Sequence, residues 1–304
     1  INNRGYISEG TRKKVYAAME EMHYQPNELA RAFSKQYTNT IGLIVPHISH
    51  PFFIKVISNL ESSAAEKGFK LLLCNSKEQP EKEQDYLDMC ISNRVAGIVL
   101  CSKYVQTREF RKMNIPVVNL ERGGDDDTIS VQCDNYQGGK LAAEHLIECG
   151  CKNLLHFGGV AGKDMPADRR ADGFLRVCRE RGIEGEVLLS DRLSYGSMHY
   201  ESYIEKGLLE HPETDGIFAS SDLIAAQVLQ RLYAMGKRVP EDIKVVGFDD
   251  TVIAGITTPS ITTIHQPIEE MSELSIAYID RRRKGEMVPN VTTMPVSLVV
   301  RGSA

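Results

Sequence analysis

The chain has 304 residues, more than the roughly 100–200 of a usual domain, so two packed units are expected. Its 42% hydrophobic and 25% charged residues exclude disordered, collagen-like and disulfide-scaffold classes. The net charge is −5, yet residues 1–37 carry six Lys and Arg against four Glu; a basic head before an acidic body suits a nucleic-acid partner.

Residues 1–37 hold no strand signal. After Ser8, the apolar positions Val15, Ala18, Met19 and Met22 fall on one face and predict an amphipathic helix over 8–22. Pro26 breaks it, Asn27 can cap a second short helix carrying Leu29, Ala30 and Phe33, and Thr38 and Asn39 lead into the first strand. From Thr40 onward, β-branched runs predict strands at 40–46, 69–74, 96–101, 116–120, 153–157, 186–190, 215–219 and 243–247. Between them, apolar residues recur at helical spacing, as in Phe53, Val56, Ile57, Leu60 and Ala64 before Gly68, or Ala225, Val228, Leu229 and Leu232 before Gly236. This alternation predicts an α/β fold with parallel sheets. The rhythm restarts near Ser130–Gly139, which favours two doubly wound, Rossmann-like halves. A (β/α)8 barrel is the alternative; the strand–helix–strand pattern after Thr258 speaks against it.

Seven cysteines without a C-x-x-C spacing predict free thiols in a reducing cytosol. No apolar stretch approaches ~18 residues and no signal-peptide pattern is present, so a cytoplasmic protein with no membrane partner is expected. Ile1, standing where Met would begin a chain, raises the expectation of sequence upstream. The eight His residues do not cluster at ligand spacing, and neither a metal nor another cofactor is expected.

In open parallel sheets, ligands bind beyond the carboxyl ends of the strands. Those positions nominate His47, Ser49, Phe52 and Phe53, then Asn75, Ser76 and Ser102, then Glu121 and Arg122. The second half adds Gly158, Gly159, Arg169, Arg170, Asp191, Arg192, Ser220, Ser221, Asp222, Asp249 and Asp250. Aromatics with carboxylates and guanidinium forks suit a small polyhydroxylated or heterocyclic ligand. Helix N-capping is the competing role for Ser221, Asp222, Asp249 and Asp250, core packing for one of the two Phe, and an ion pair or exposed face for the Arg pair. The enzyme motifs G-x-S-x-G, H-E-x-x-H and G-x-G-x-x-G are missing. The segment GGVAGKD at 158–164 is one residue short of a phosphate loop and reads as a flexible loop. No enzyme is expected.

YQPNELARAFSKQYTNTIGLIVPHISHPFF at 24–53, RRADGF at 169–174, VPEDIKVVGFDD at 239–250, TTIHQP at 262–267 and MPVSLVVR at 294–301 give essentially the whole chain a resemblance to the LacI/GalR family of bacterial transcriptional regulators. In its body that family is related to periplasmic sugar-binding proteins. The resemblance implies a homodimeric, operator-binding repressor of carbohydrate or related genes, controlled by a small-molecule effector such as a sugar. Residues 1–37 would form a partial helix-turn-helix head and hinge helix. An N-subdomain of about 38–134 plus 266–292 and a C-subdomain of about 135–265 plus 293–304 would close on the effector. Crossovers are expected near 133–136, 262–266 and 292–296, and dimer contacts near 52–67 and 102–115.

By the same resemblance, Asn27, Ala30 and Arg31 would lie against DNA, and Phe33 would take the wedge position that is usually Leu. Phe52 and Phe53 would stack on the effector, Arg170 and Asp249 would anchor it, and Ser221 with Asp222 would form the rim. Relatives often carry an aromatic after the residue matching Asp191, whereas Arg192 stands here, which leads to the expectation of an anionic effector. The end at Ala304, without a leucine heptad, leads to the expectation of a dimer rather than a tetramer. The alternative is a solute-binding protein of a transport system with the same body.

Overall fold

The computed structural model describes residues 7–22, 37–102, 115–123, 128–160 and 165–304. The expected DNA contacts Asn27, Ala30, Arg31 and Phe33, most of the dimer segment 102–115 and residues 161–164 lie outside these.

The first helix, α1 (Glu9–Glu21), starts where the sequence places an acceptor: Ser8 takes a hydrogen bond from the Thr11 N–H at 3.3 Å. It buries no residue against the described part of the body. From Thr40 the chain builds a first sheet from β1 (Thr40–Val45), β2 (Lys70–Asn75), β3 (Gly97–Leu100), β4 (Val117–Leu120) and β5 (Ile129–Cys133). Helices α2 (Pro51–Glu66) and α3 (Pro80–Ser92) join the early strands, each with Pro in its first turn, where no backbone donor is lost.

The second sheet holds β6 (Asn153–Val160), β7 (Glu184–Ser190), β8 (Gly216–Ala219), β9 (Lys244–Asp249) and β10 (Thr262–His265). Its helices are α4 (Asn135–Glu148), α5 (Arg169–Arg181), α6 (Arg192–Ser197), α7 (Glu201–Glu210), α8 (Asp222–Ala234) and α9 (Val252–Ile256). Helix α10 (Ile268–Arg283) returns to the first half and packs on α2. The strand orders are β11-β5-β4-β3-β1-β2 and β12-β10-β9-β8-β6-β7, with β11 (Val291–Met294) and β12 (Ser297–Val299) at their edges. All pairs are parallel except β12 against β10. Strands β3, β4 and β8 are buried at every position, as strands covered on both faces must be; the one polar residue among them, Asn119 in β4, is hydrogen-bonded to Thr128 and Arg122.

Three features differ from the sequence expectation. Ile129–Cys133 is a strand, although its polar Ser130 and Gln132 hid it in the restart of the pattern. The segment MPVSLVVR is not one strand: Pro295 separates β11, in the first sheet, from β12, in the second. The first sheet therefore keeps the chain through Met294, which pairs with Cys133, two residues beyond the expected boundary. Gly158 and Gly159 belong to β6, which bulges so that Val160 can pair with Ser190.

The chain passes between the sheets at Asp134, at Gln266–Pro267 and at Pro295–Val296. The first and third passages are tied together by the Asp134 N–H, which donates to the Met294 carbonyl at 2.8 Å. One apolar core runs through both halves, from Val45, Val99 and Val131 to Phe218, Val246 and Phe248.

Candidate functional site

The carboxyl ends of the two sheets face one cleft, with about 1040 Å³ of empty space including its open mouth. On the first side lie His50, Phe52, Phe53, Ser102 and Glu121; on the second, Arg170, Ser220, Ser221 and Asp249; Gln266 comes from a crossover. Phe52 and Phe53 open α2 and meet edge to face at 5.1 Å. His50 caps the same helix: its Nδ1 accepts from the Phe52 N–H at 3.2 Å, so in the neutral ring the proton sits on Nε2. Burial, with His47 and Arg170 near, lowers the His50 pKa to about 4 and keeps that ring neutral.

Arg170 is held from four directions. Its Nε donates to Asn135 Oδ1 at 2.7 Å, its terminal nitrogen donates to the Ser220 carbonyl, Asp249 Oδ1 stands 4.0 Å away, and the guanidinium lies 3.5 Å from the Phe248 ring centroid. Asp249 ends β9 at φ 107°, and Glu121 follows β4 at φ 52°, conformations that non-glycine residues adopt at a cost of about 1–3 kcal/mol each. Strain of this kind persists where the surroundings demand the side-chain direction, and both carboxylates line the cleft.

Burial lifts the Asp249 carboxyl well above the usual carboxylate range, with Arg170 pulling the other way. Glu121 is raised for the same reason, and accepts from the Cys133 N–H and, at 3.0 Å, from Asn135 Nδ2. Gln266 donates from its Nε2 to Asp249 Oδ1 at 2.6 Å, which leaves Oε1 as a fixed acceptor with no partner among the described residues. The buried Ser102 hydroxyl is likewise without a partner among the described residues. Thus Glu121, Asn135, Arg170, Asp249 and Gln266 form one polar line that includes residues of two crossovers.

The site gathers Phe52, Phe53, Arg170, Ser221 and Asp249, but two expected members fall elsewhere. Asp222 is fully buried and turns away from the cleft; it accepts from the Thr251 N–H at 2.7 Å, the Thr251 hydroxyl at 2.9 Å and the Thr263 hydroxyl at 2.6 Å. Its carboxylate ties the start of α8 to β10 and to the loop after β9, which is a structural role. Ser221 does line the cleft, and also caps α8 by accepting from the Ile224 N–H. Arg192 is exposed at the start of α6, because Asp191 is that helix's cap and directs the next side chain outward. One turn further, Tyr195 lines the cleft with its ring 5.5 Å from His47. His50, Gln266, Tyr195, Tyr200 and Asp168 also line it and were not nominated; Gln266 stood inside the TTIHQP segment, the one signal that could have found it.

Burial pushes Asp222 up to about 6, against the hydrogen bonds from Thr263 and Thr251, and lowers His50 and His156 to about 4. A raised carboxyl contributes stability below its unfolded pKa near 4 and loses it as the pH rises to about 6; the lowered imidazoles lose stability as the pH falls from about 6.5. These effects oppose one another, so Asp222 is read by difference. Relative to wild type, Asp222→Asn should gain on the order of 2–3 kcal/mol between pH 4 and pH 6, measured by urea unfolding at each pH. Parallel stability curves for the two proteins would contradict this role.

Two family descriptions match the chain: "Bacterial regulatory proteins, lacI family" over residues 1–27 and "Periplasmic binding protein-like domain" over residues 143–304. The ribose operon repressor of Halalkalibacterium halodurans is 34% identical over 99% of this chain and 90% of its own length. The sucrose operon repressor of Pediococcus pentosaceus is 34% identical over 98% and 92%. Among solved structures, a periplasmic binding protein/LacI transcriptional regulator from Alkaliphilus metalliredigens, complexed with D-xylulofuranose, superposes with a TM-score of 0.78 at 34% identity. It covers 88% of this chain, which in turn covers 99% of it. With similarity of this extent through head and body, the chain belongs to the LacI family of bacterial regulatory proteins.

Proposed function

We propose that this chain is a sequence-specific DNA-binding repressor whose operator affinity is set by a neutral, polyhydroxylated small molecule of monosaccharide size. The observation that carries the reading is the polar line Glu121–Asn135–Arg170–Asp249–Gln266, which meets the cleft and includes crossover residues, so that an occupant biases how the two halves sit. The repressor names of the relatives and the sugar in the similar structure support the same class of ligand. Among the described residues, Gln266 Oε1 and the Ser102 hydroxyl lack partners that sugar hydroxyls would supply, and Phe52 and Phe53 offer faces for the apolar side of the ring.

An anionic effector is not favoured. Arg192, which motivated it, stands outside the cleft, and Arg170 is the one guanidinium among the described lining residues, against Glu78, Glu121, Asp168 and Asp249. The lacI-family match over residues 1–27 disfavours a transport solute-binding protein. The protein works as a cytoplasmic homodimer that binds rather than turns over its ligand; effector occupancy shifts operator affinity by about 5–150-fold. No described helix is long and apolar enough to cross a membrane.

Titration calorimetry with D-ribose, D-xylulose, sucrose, D-gluconate and D-ribose 5-phosphate tests the effector class. At least one neutral sugar is expected to bind, and at 100 times its Kd it should stabilise the fold by about 2.7 kcal/mol. Binding confined to the acid or the phosphate would overturn the neutral reading.

A further inference from the structure

At the end of the first subdomain opposite the cleft, α2 and α10 finish together on one face of the sheet and α3 finishes on the other, with basic residues at or just beyond each end. Helix α2 runs into Lys67 and Lys70, α3 into Arg94, and α10 ends in Arg281, Arg282, Arg283 and Lys284. The linker from the head enters the body among them. The Arg283 guanidinium lies 3.8 Å from the Tyr37 ring centroid and 5.1 Å from that of Phe69. The Thr38 N–H donates to the Arg94 carbonyl at 2.8 Å, and the Lys70 N–H to the Asn39 carbonyl at 2.9 Å.

Helix C-termini attract cations, but each carries only about −0.5 of an elementary charge, so three account for roughly −1.5. Seven basic side chains stand here against Glu66, Asp280 and Glu286. Asp280 is held by Lys284 at 2.6 Å and Glu286 by Arg281 at 3.1 Å. Lys67, Arg94 and Arg282 are exposed, with no side-chain partner among the described residues, and the end stays positive on a chain whose net charge is −5. The acidic cleft lies at the other end of the same strands.

We propose that this end is a second DNA-contacting surface, which engages the phosphates of the duplex flanking the site read by the head. Position argues for a nucleic acid rather than an acidic protein: residues 1–27, which match the DNA-binding regulators, are tethered to this end through Tyr37. The surface adds affinity and salt dependence and no sequence preference, because point charges on phosphates read no base edge. The proposal rests on the DNA-binding reading above.

The test is the salt dependence of binding to a 40-base-pair duplex of generic sequence, followed by fluorescence anisotropy from about 50 to 200 mM salt. Three full-length proteins are compared: wild type, the triple variant Lys67→Ala/Arg94→Ala/Arg282→Ala, and a charge-matched control, Arg176→Ala/Arg179→Ala/Lys206→Ala, on exposed helix faces of the second subdomain. Each lost phosphate contact removes about 0.9 from the slope of log K against log salt, so the rim variant should be shallower than wild type by about 2–3, with the control unchanged. Equal slopes for the rim variant and wild type would overturn the proposal, as would an equal loss in the control, which would reflect net charge alone. A wild-type chain that binds no duplex at 50 mM salt would overturn the DNA-binding reading itself, and this surface with it.

Discussion

Arg170→Ala is expected to abolish effector binding and to lower the unfolding free energy by roughly 3–5 kcal/mol, the usual cost of removing one partner from a buried charged pair. Arg170 is 7% exposed, and its side chain answers several groups at once: Asn135 Oδ1, the Ser220 carbonyl, Asp249 and the face of Phe248. Without it, Asp249 keeps its burial and its neighbouring carboxylates Asp222 and Glu121 but loses the charge that offsets them, so its carboxyl is driven further toward the neutral form. Arg170→Lys separates charge from geometry. It restores a cation near Asp249 but not the flat fork that spans Asn135 and Ser220, so it should recover part of the stability and little of the sugar affinity. Urea unfolding and calorimetry on the three proteins check both halves. Sugar affinity in Arg170→Ala within threefold of wild type would remove Arg170 from the site.

Gly173→Ala is expected to cost about 2–4 kcal/mol and to weaken effector binding more than tenfold, although the change is distant in sequence from most of the cleft. Helices α4 and α5 cross with two glycines against each other's backbone: a Cβ on Gly173 would lie 2.0 Å from the Tyr136 carbonyl oxygen, and one on Gly139 2.0 Å from the Arg170 carbonyl oxygen. Backbone atoms cannot rotate aside, so the helices must separate. Alanine favours a helix by about 1 kcal/mol over glycine, which the overpacking exceeds. Separation also stretches the 2.7 Å bond between Arg170, near the start of α5, and Asn135, at the start of α4, so the packing fault reaches the ligand. Gly139→Ala should behave alike, whereas Gly196→Ala in α6, whose Cβ would meet nothing within 4 Å, should leave binding unchanged and keep the helix gain of up to about 1 kcal/mol. Urea midpoints for the three variants decide this, and a Gly173→Ala midpoint equal to that of Gly196→Ala would refute the crossing argument.

Much of the frame was legible because its causes are local. Buried parallel strands must be continuous apolar runs, so TIGLIV, GIVL and GIFA announce themselves, and strand carboxyl ends bring Phe52, Phe53, Arg170, Ser221 and Asp249 to one cleft. Ile129–Cys133 was harder to read because strand pairing on both sides, not composition, makes ISVQC a strand. The tail was harder still: the apolar pattern continues across Pro295 while the hydrogen-bonding partner changes from β5 to β10.

Periodicity and turn chemistry act over a few residues, so the amino-acid order alone carries the class of the protein, its two α/β halves and the strand ends that line the cleft. Which of two neighbours looks into the cleft depends on contacts that form only in the folded chain. Ser221 does and Asp222 does not, because Thr251 and Thr263 draw the carboxylate away; Tyr195 does and Arg192 does not, because a cap at Asp191 sets the helix phase. Gln266 and Asn135 gained their importance in the same way. They sit where the chain changes sheets, and the partners that fix them, Asp249, Arg170 and Glu121, are 14 to 35 residues away along the chain.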